Sequence, residues 1–260
     1  MASCFKYLAA LVDKHITLSA PKIAYTPTPL EDLTQRSMVE LDMIPFILAS
    51  GSGSMVKDIS GIHQVVAIGK YSCIGFDFYR AYLSKEIGSF IHIAVDPRFP
   101  DEILECRIYQ SENIISPVFA TRQQQQVHAL GEDIDEAQNW EFWLLNNSDP
   151  NVGGMIGCPV MQGKNVYDAD GNIAYDPPQY VRSWVEGNQR IEPVQVTETV
   201  VDLNGNITVF NHSMMHYGRG LSDSIGEYLF VSAVETDDTA DVNMWIGLDI
   251  DPNTLKIFPI

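Results

Sequence analysis

GEYLFVSAVETDDTADVNMWIGLDI, residues 226–250, sets two strongly apolar runs on either side of a short acidic stretch, and it reads as a central β-hairpin. In the first arm Tyr228, Phe230 and Val234 share one alternation and Leu229, Val231 and Ala233 the other, so both faces are apolar. A strand of that kind belongs inside a sheet that is covered on both sides. The second arm puts Val242, Met244, Ile246, Leu248 and Ile250 on one face and Asn243, Trp245, Gly247 and Asp249 on the other, the pattern of a half-covered strand. Residues 236–241 then turn in solvent.

Outward from this hairpin, the period stays at two over much of the chain. Residues 62–68, 73–83, 90–95 and 103–109 read as four strands separated by Gly69-Lys70, Gly88-Ser89 and the 96–101 stretch DPRFPD. Breaks this short join antiparallel neighbours. Two segments, YDADGNIAY at 167–175 and VDLNGNITV at 201–209, set Asp-Gly or Asn-Gly between β-formers, the chemistry of hairpin turns. As a calcium loop the first fails, because Val166 and Pro177 occupy the positions where ligands belong. Residues 43–49 read as a further strand, and SGSGS at 50–54 as a turn that lacks the Gly-Lys-Ser/Thr of a phosphate loop.

The strongest helix signal is DIDEAQNWEFWLLNN, residues 133–147, with acids in its first turn and Trp140 and Trp143 on the face that packs against the sheet. A second, amphipathic helix is expected over residues 3–14, followed by a Pro-rich connector with Pro21, Pro27 and Pro29. The expected fold class is α+β, mostly antiparallel β-sheet with hairpins and few helices. Residues 1–30 form the helix and connector, and residues 31–260 a single β-rich domain with an alternative subdivision near 120–150. Its core includes Ile93, Leu104, Leu144, Val194, Leu229, Val231 and Ile246.

Composition narrows the partners. With 34 acidic against 16 basic side chains, the 260-residue chain carries a formal charge of −18, which repels nucleic-acid phosphates and anionic lipid headgroups. Solubility accounts for such a charge, and a cationic small molecule of the polyamine type would be drawn to it. Cys4, Cys73, Cys106 and Cys158 lie far apart with no C-x-x-C pair, so reduced thiols and a cytoplasmic location are expected. No apolar run approaches transmembrane length. Cys106 alternates with Glu105 and Arg107 and reads as core rather than as a nucleophile.

Catalytic templates fail throughout. His212 and His216 are four apart, but on a strand that spacing is about 13 Å and unfit for sharing a metal. No G-x-S-x-G elbow, no HExxH and no pair of glycosidase carboxylates can be named, so no catalytic residue, cofactor or metal is assigned. The strand YVRSW at 180–184 presents a polar-aromatic face, and the candidate binding residues are Tyr180, Arg182, Trp184, Tyr217 and Arg219.

Taken in order, WEFW at 140–143, YVRSW at 180–184, MMHYGR at 214–219, YLFVSAVE at 228–235 and WIGLD at 245–249 resemble the YjfK-like family, bacterial proteins of unknown function. The resemblance covers the second half of the chain. It implies an accessory role, since such proteins are often encoded beside a phage-shock-type membrane-stress protein and a glutathionylspermidine-synthase-like enzyme. The leading expectation is therefore a non-enzymatic accessory or interaction protein with a protein partner. The alternative is a protein or enzyme that takes a polyamine-like cation in an acidic, aromatic cleft.

Overall fold

Strand β13 of the central hairpin is buried on both alternations, and the reason is that the sheet around it closes into a barrel. The computed structural model describes residues 30–50, 54–84, 88–111, 115–117, 156–157, 159–163, 166–167, 173–175, 178–183, 191–222, 225–235 and 240–259. In chain order the elements are β1 (Met38–Leu41), helix α1 (Ile44–Ser50), β2 (Gly61–Cys73), β3 (Phe76–Leu83), β4 (Phe90–Asp96), β5 (Phe99–Ser111), β6 (Ile115–Pro117) and β7 (Val160–Gly163). Then follow β8 (Val166–Tyr167), β9 (Ile173–Tyr175), β10 (Gln179–Arg182), β11 (Val194–Asp202), β12 (Ile207–Gly220), β13 (Gly226–Glu235), β14 (Ala240–Asp249) and β15 (Lys256–Phe258). Short 3₁₀ turns sit at Leu30–Asp32 and Pro252–Thr254.

The ring runs β2, β3, β4, β5, β14, β13, β12, β11 and back to β2, eight strands with every pairing antiparallel. The α+β expectation is therefore corrected: the described residues are almost entirely β, with α1 their one α-helix. That expectation rested on helices over 133–147 and 3–14, which lie outside the described residues. Residues 43–49 are a second correction, since Ile44–Ser50 is helical rather than extended. Proline is tolerated in a first helical turn, and Asp42 Oδ1 accepts a hydrogen bond from the Ile44 amide at 3.2 Å.

Strand registers divide the ring into two walls. One line across neighbouring strands passes through Gly69, Arg80, His92, Arg107 and Asp249. Another passes through Tyr82, Phe90, Tyr109, Gly247, Tyr228 and Gly218. This wall faces the lumen, because its members meet across the barrel: Arg80 on β3 lies 4.9 Å from the Phe230 ring on β13, and His92 on β4 lies 6.4 Å from the same ring. Charged and aromatic side chains thus fill the inside. The outer wall carries Ile91, Ile93, Cys106, Ile108, Leu229, Val231 and Ile246, which are also buried and join Val39, Met43, Val56, Met161, Tyr180 and Leu255 in one core. Of the expected core, Leu104 and Val194 are only half-buried, and Leu144 lies outside the described residues.

At nine residues β11 is shorter than both neighbours, β2 with 13 and β12 with 14. Its seam with β2 is only four residue pairs long, Thr199–Lys70 to Asp202–Ala67. Beyond β11 the freed edge of β2 takes β1, and that of β12 takes β10. The seam is secured from inside by Glu198, fully buried, which accepts from Arg80 Nη1 at 2.8 Å and Tyr82 Oη at 3.0 Å and sits 2.9 Å from His212 Nε2. Gly69 makes room for it: a Cβ there would stand 1.8 Å from Glu198 Oε1. The glycine that reads as a strand break is thus the middle of β2. Arg80 Nε and Nη2 have no hydrogen-bond acceptor, and the guanidinium instead lies 4.9 to 5.9 Å from the rings of Tyr71, Phe90, Phe230 and Trp245.

Turn chemistry falls where it is expected. Between β11 and β12, Gly205 has φ +80° and Asp202 Oδ1 accepts from the Asn204 and Asn206 amides at 2.8 and 2.9 Å. β8 and β9 pair antiparallel around the first Asp-Gly segment, whose Asp168, Asp170 and Gly171 lie outside the described residues.

Removing one member of a buried ion pair leaves the other charged and unpartnered, at a cost of about 3–5 kcal/mol. Arg80→Met and Glu198→Leu should each destabilise the barrel by that order in urea unfolding, and the double variant by clearly less than their sum. Additive losses would show that the pair is not what holds the seam.

Candidate functional site

Where β12 outruns β11, the barrel end opens into a cavity of about 460 Å³. Val181 and Ser183 come from β10 and the residue after it, Gly218, Arg219 and Gly220 from the end of β12, Gly226 and Tyr228 from the start of β13, and Asp249 from the end of β14. Ser222 and Ile225 complete the rim. Glycine keeps this mouth wide, since a Cβ on Gly220 would meet nothing within 4 Å.

The floor is a set of lumen side chains that hold one another. Asp249 Oδ1 accepts from Arg107 Nε at 2.9 Å and Oδ2 from the Tyr228 hydroxyl at 2.7 Å, while the Arg107 guanidinium lies 3.6 Å from the Tyr228 ring centroid. Behind Asp249, Arg107 Nη1 also donates to Glu105 and lies 3.2 Å from His216 Nε2. Tyr109 Oη is 2.8 Å from the same His216 nitrogen, and Ser183 Oγ is 2.9 Å from Nδ1.

These contacts assign the His216 proton. A guanidinium has no lone pair, so the nitrogen facing Arg107 must be the acceptor, and Nδ1 carries the hydrogen. Nδ1–H therefore donates to Ser183 Oγ, and the Ser183 hydroxyl donates to the His216 carbonyl at 3.0 Å. This is the reverse of the polarity that activates a serine nucleophile.

Four of the five sequence-derived candidates gather here, and β10 beside β12 brings them together: Arg182 pairs with Tyr217 and Val181 with Gly218. Yet strand alternation turns Tyr180, Arg182 and Tyr217 to the outer wall, where all three are buried. Tyr180 Oη donates to Glu227 Oε1 at 2.6 Å, and Arg219 Nε donates to the same oxygen at 2.7 Å. Glu227, fully buried, also accepts from Ser54 Oγ and the Met55 amide, which straps residues 54–55 against the barrel. Arg182 Nη1 donates to the Gly157 carbonyl at 2.7 Å and the Gly157 amide to Tyr217 Oη at 3.1 Å. Of these four described residues Arg219 alone lines the cavity, with its guanidinium turned to Glu227 and Tyr180. Trp184 lies outside the described residues.

Ser183, Tyr228 and Asp249 are missed by the sequence reading. The signal for them is parity: Gly218 and Gly220 alternate with Arg219, so the small side of β12 faces the mouth. Tyr228 and Gly247 pair across to that side, and Asp249 continues it.

His212 and His216 stand on β12 with separate partners, Ser232 and Glu198 for the first and Ser183 and Tyr109 for the second. Among the described residues no group of three or more His, Cys, Asp or Glu is placed to hold a metal. Cys106 is buried, and burial raises its thiol well above the usual range. No helix among them is long and apolar enough to cross a membrane.

In comparison with known proteins, the family model described as "Protein of unknown function (DUF2491)" matches residues 123–256. No curated protein and no solved structure matches the chain. The matched stretch supplies β10 to β14 and the whole rim of the cavity, whereas β2 to β5 precede it.

The lumen makes stability depend on pH. Burial lowers the pKa of His92 and His212. Burial opposes ionisation of Glu105 and Glu198, but Arg107 and Arg80 outweigh it and hold both carboxyls below the usual range. As pH falls through about 6.5 and then about 4.3, the unfolded chain binds protons that the folded chain refuses, so stability declines. Easing of the surface charge repulsion acts the other way, and about 1 M salt, with a screening length near 3 Å, suppresses it. In such salt the urea midpoint should be lower at pH 5 than at pH 7.5. A higher midpoint at pH 5 would mean that the lumen histidines are charged in the fold.

Proposed function

We propose a function for this chain as a member of the DUF2491 family, to which it belongs: a non-enzymatic accessory protein that captures a small molecule at the open end of its barrel. The observation that carries the reading is the cavity of about 460 Å³ lined by Arg219, Tyr228 and Asp249, a size typical of small-ligand sites. Its polar groups are already held by neighbours. Such a site is preorganised to bind, because little side-chain freedom is lost when a ligand arrives. Its serine hydroxyl is turned to a carbonyl, and its nearest histidine donates rather than accepts, which supports holding over transforming.

The YjfK-like resemblance supports an accessory role with envelope stress as its setting and a protein partner, and the scattered cysteines support a cytoplasmic location. The polyamine-like cation suggested by overall charge finds less support at this mouth, where the Asp249 carboxylate is already taken up by Arg107 and the Tyr228 hydroxyl.

A thermal-shift screen of polar metabolites on the wild type and on Gly220→Leu tests the reading, since the leucine has open space to enter and would fill the cavity. At least one compound should raise Tm in the wild type only, and mass spectrometry should recover it unchanged. Conversion of the bound compound would make the protein an enzyme, and a screen in which no hit depends on Gly220 would remove the site.

A further inference from the structure

We infer that the end of β12 away from the mouth is a docking edge for an extended peptide with basic ends, which adds a strand beside β12. β13 stops at Glu235, opposite Asn211, whereas β12 starts at Ile207 and over residues 207–210 is paired by β11 alone among the described strands. The two hairpin turns set the backbone parity. The Asp202 amide donates to the Asn206 carbonyl, so that pair is a hydrogen-bonded one, and alternation along the ladder turns the N–H and C=O of Ile207 and Val209 away from β11. Counting from the other turn, where the Leu221 amide donates to the Ile225 carbonyl, puts Asn211, Val209 and Ile207 on the β13 side. That is the side on which β13 has ended.

Unpaired strand edges recruit another strand unless something guards them. The outermost strands of the sheet carry guards: β15 has Lys256 and is followed by Pro259, and β6 ends in Pro117. ITVF at 207–210 has neither a charge nor a proline, and its outward side chains, Ile207 and Val209, are 67% and 49% exposed. Charge decides the occupant. ETDDTAD at 235–241, from the end of β13 to the start of β14, holds Glu235, Asp237, Asp238 and Asp241, and the turn before β12 holds Asp202. A strand laid along 207–210 thus has carboxylates at both of its ends. A second copy of this acidic chain brings like charges together there, whereas Lys or Arg at the ends of a peptide meets opposite charge. Alternating β-branched side chains between those ends suit the exposed Ile207 and Val209. The edge lies at the far end of β12 from Gly220, so this inference does not depend on the small-molecule reading.

Fluorescence anisotropy of the full chain is the test, with labelled short synthetic peptides that carry Lys or Arg at both ends and alternating Val, Ile and Thr between them. Saturable binding of at least one is expected, weakening from about 0.05 M to about 0.5 M salt. Glu in place of its basic ends, or proline at its centre, should each weaken binding about tenfold or more. Val209→Pro removes an edge donor that takes no part in the β11 ladder, so circular dichroism should show the fold retained while binding falls by a similar factor. Ile207→Lys, which leaves the backbone intact, should also weaken binding, and amide hydrogen exchange at residues 207–210 should slow when the peptide is added. Equal binding by both variants, or by the charge-reversed peptide, would overturn the inference. So would the absence of saturable binding across the set. A dimer of the chain that Val209→Pro dissociates would mean that a second copy, and not a basic peptide, takes the edge.

Discussion

The carboxylate of Glu198 is the point on which the barrel closes. Four residue pairs between β11 and β2 are a short seam for an eight-stranded ring, and Glu198 reinforces it by reaching over Gly69 to Arg80 and Tyr82 of β3 and to His212 of β12. A charge so fully buried persists only when its partners are fixed. Arg80 packs among the rings of Tyr71, Phe90, Phe230 and Trp245, so the closure of the ring and the filling of its lumen are one arrangement. The position of the cavity follows. A lumen occupied by its own paired side chains leaves room for a ligand only where strands run out, and β12 running past β11 makes that place.

Inside and outside are inverted relative to a barrel built to hold an apolar ligand. The lumen is aromatic and charged, and the outer wall carries aliphatic side chains that pack with Val39, Met43, Val56, Met161, Tyr180 and Leu255. Glu227 does on the outside what Glu198 does within: one buried carboxylate collects Tyr180, Arg219, Ser54 and the Met55 amide, tying β10 and residues 54–55 to the β12–β13 hairpin. Arg219 belongs to this clamp and to the cavity wall at once, so the wall is as firm as the core behind it.

The period of two made much of this legible. Strand type, the antiparallel neighbours, the Asn-Gly turn, the burial of Cys106 and the interior place of β13 all follow from local alternation, because pleating imposes it residue by residue. Closure does not, because Thr199 and Lys70 are brought together by the whole ring and neither carries a local mark. Alternation also fails to say which face is the lumen. In VQVTETVV at 194–201, Glu198 shares the alternation of Val194, Val196 and Val200, so its slot is the inward one, and what local alternation leaves out is that Arg80 and Tyr82 meet it there. The same ambiguity explains the candidate site. Tyr180 and Arg182 read as part of a polar-aromatic strand face, and β12 sets Tyr217 beside Arg182, but on the wall away from the mouth, while Ser183 and Asp249 sit one parity step over. MIPFILAS, apolar without a period, reads as a strand at 43–49, whereas Ile44–Ser50 is the helix α1, with Phe46 and Ile47 packed against the core.

Net charge is a weak guide to what this mouth accepts, and the buried groups show why. Among the described residues Arg80, Arg107 and Arg182 are buried, and so are Asp96, Glu105, Glu198 and Glu227. These buried charges nearly cancel, although the whole chain carries −18. Water and salt weaken a charge with distance, so what a molecule meets at the mouth is the Asp249 carboxylate with the Arg107 and Tyr228 groups that hold it, and not the net charge of the chain.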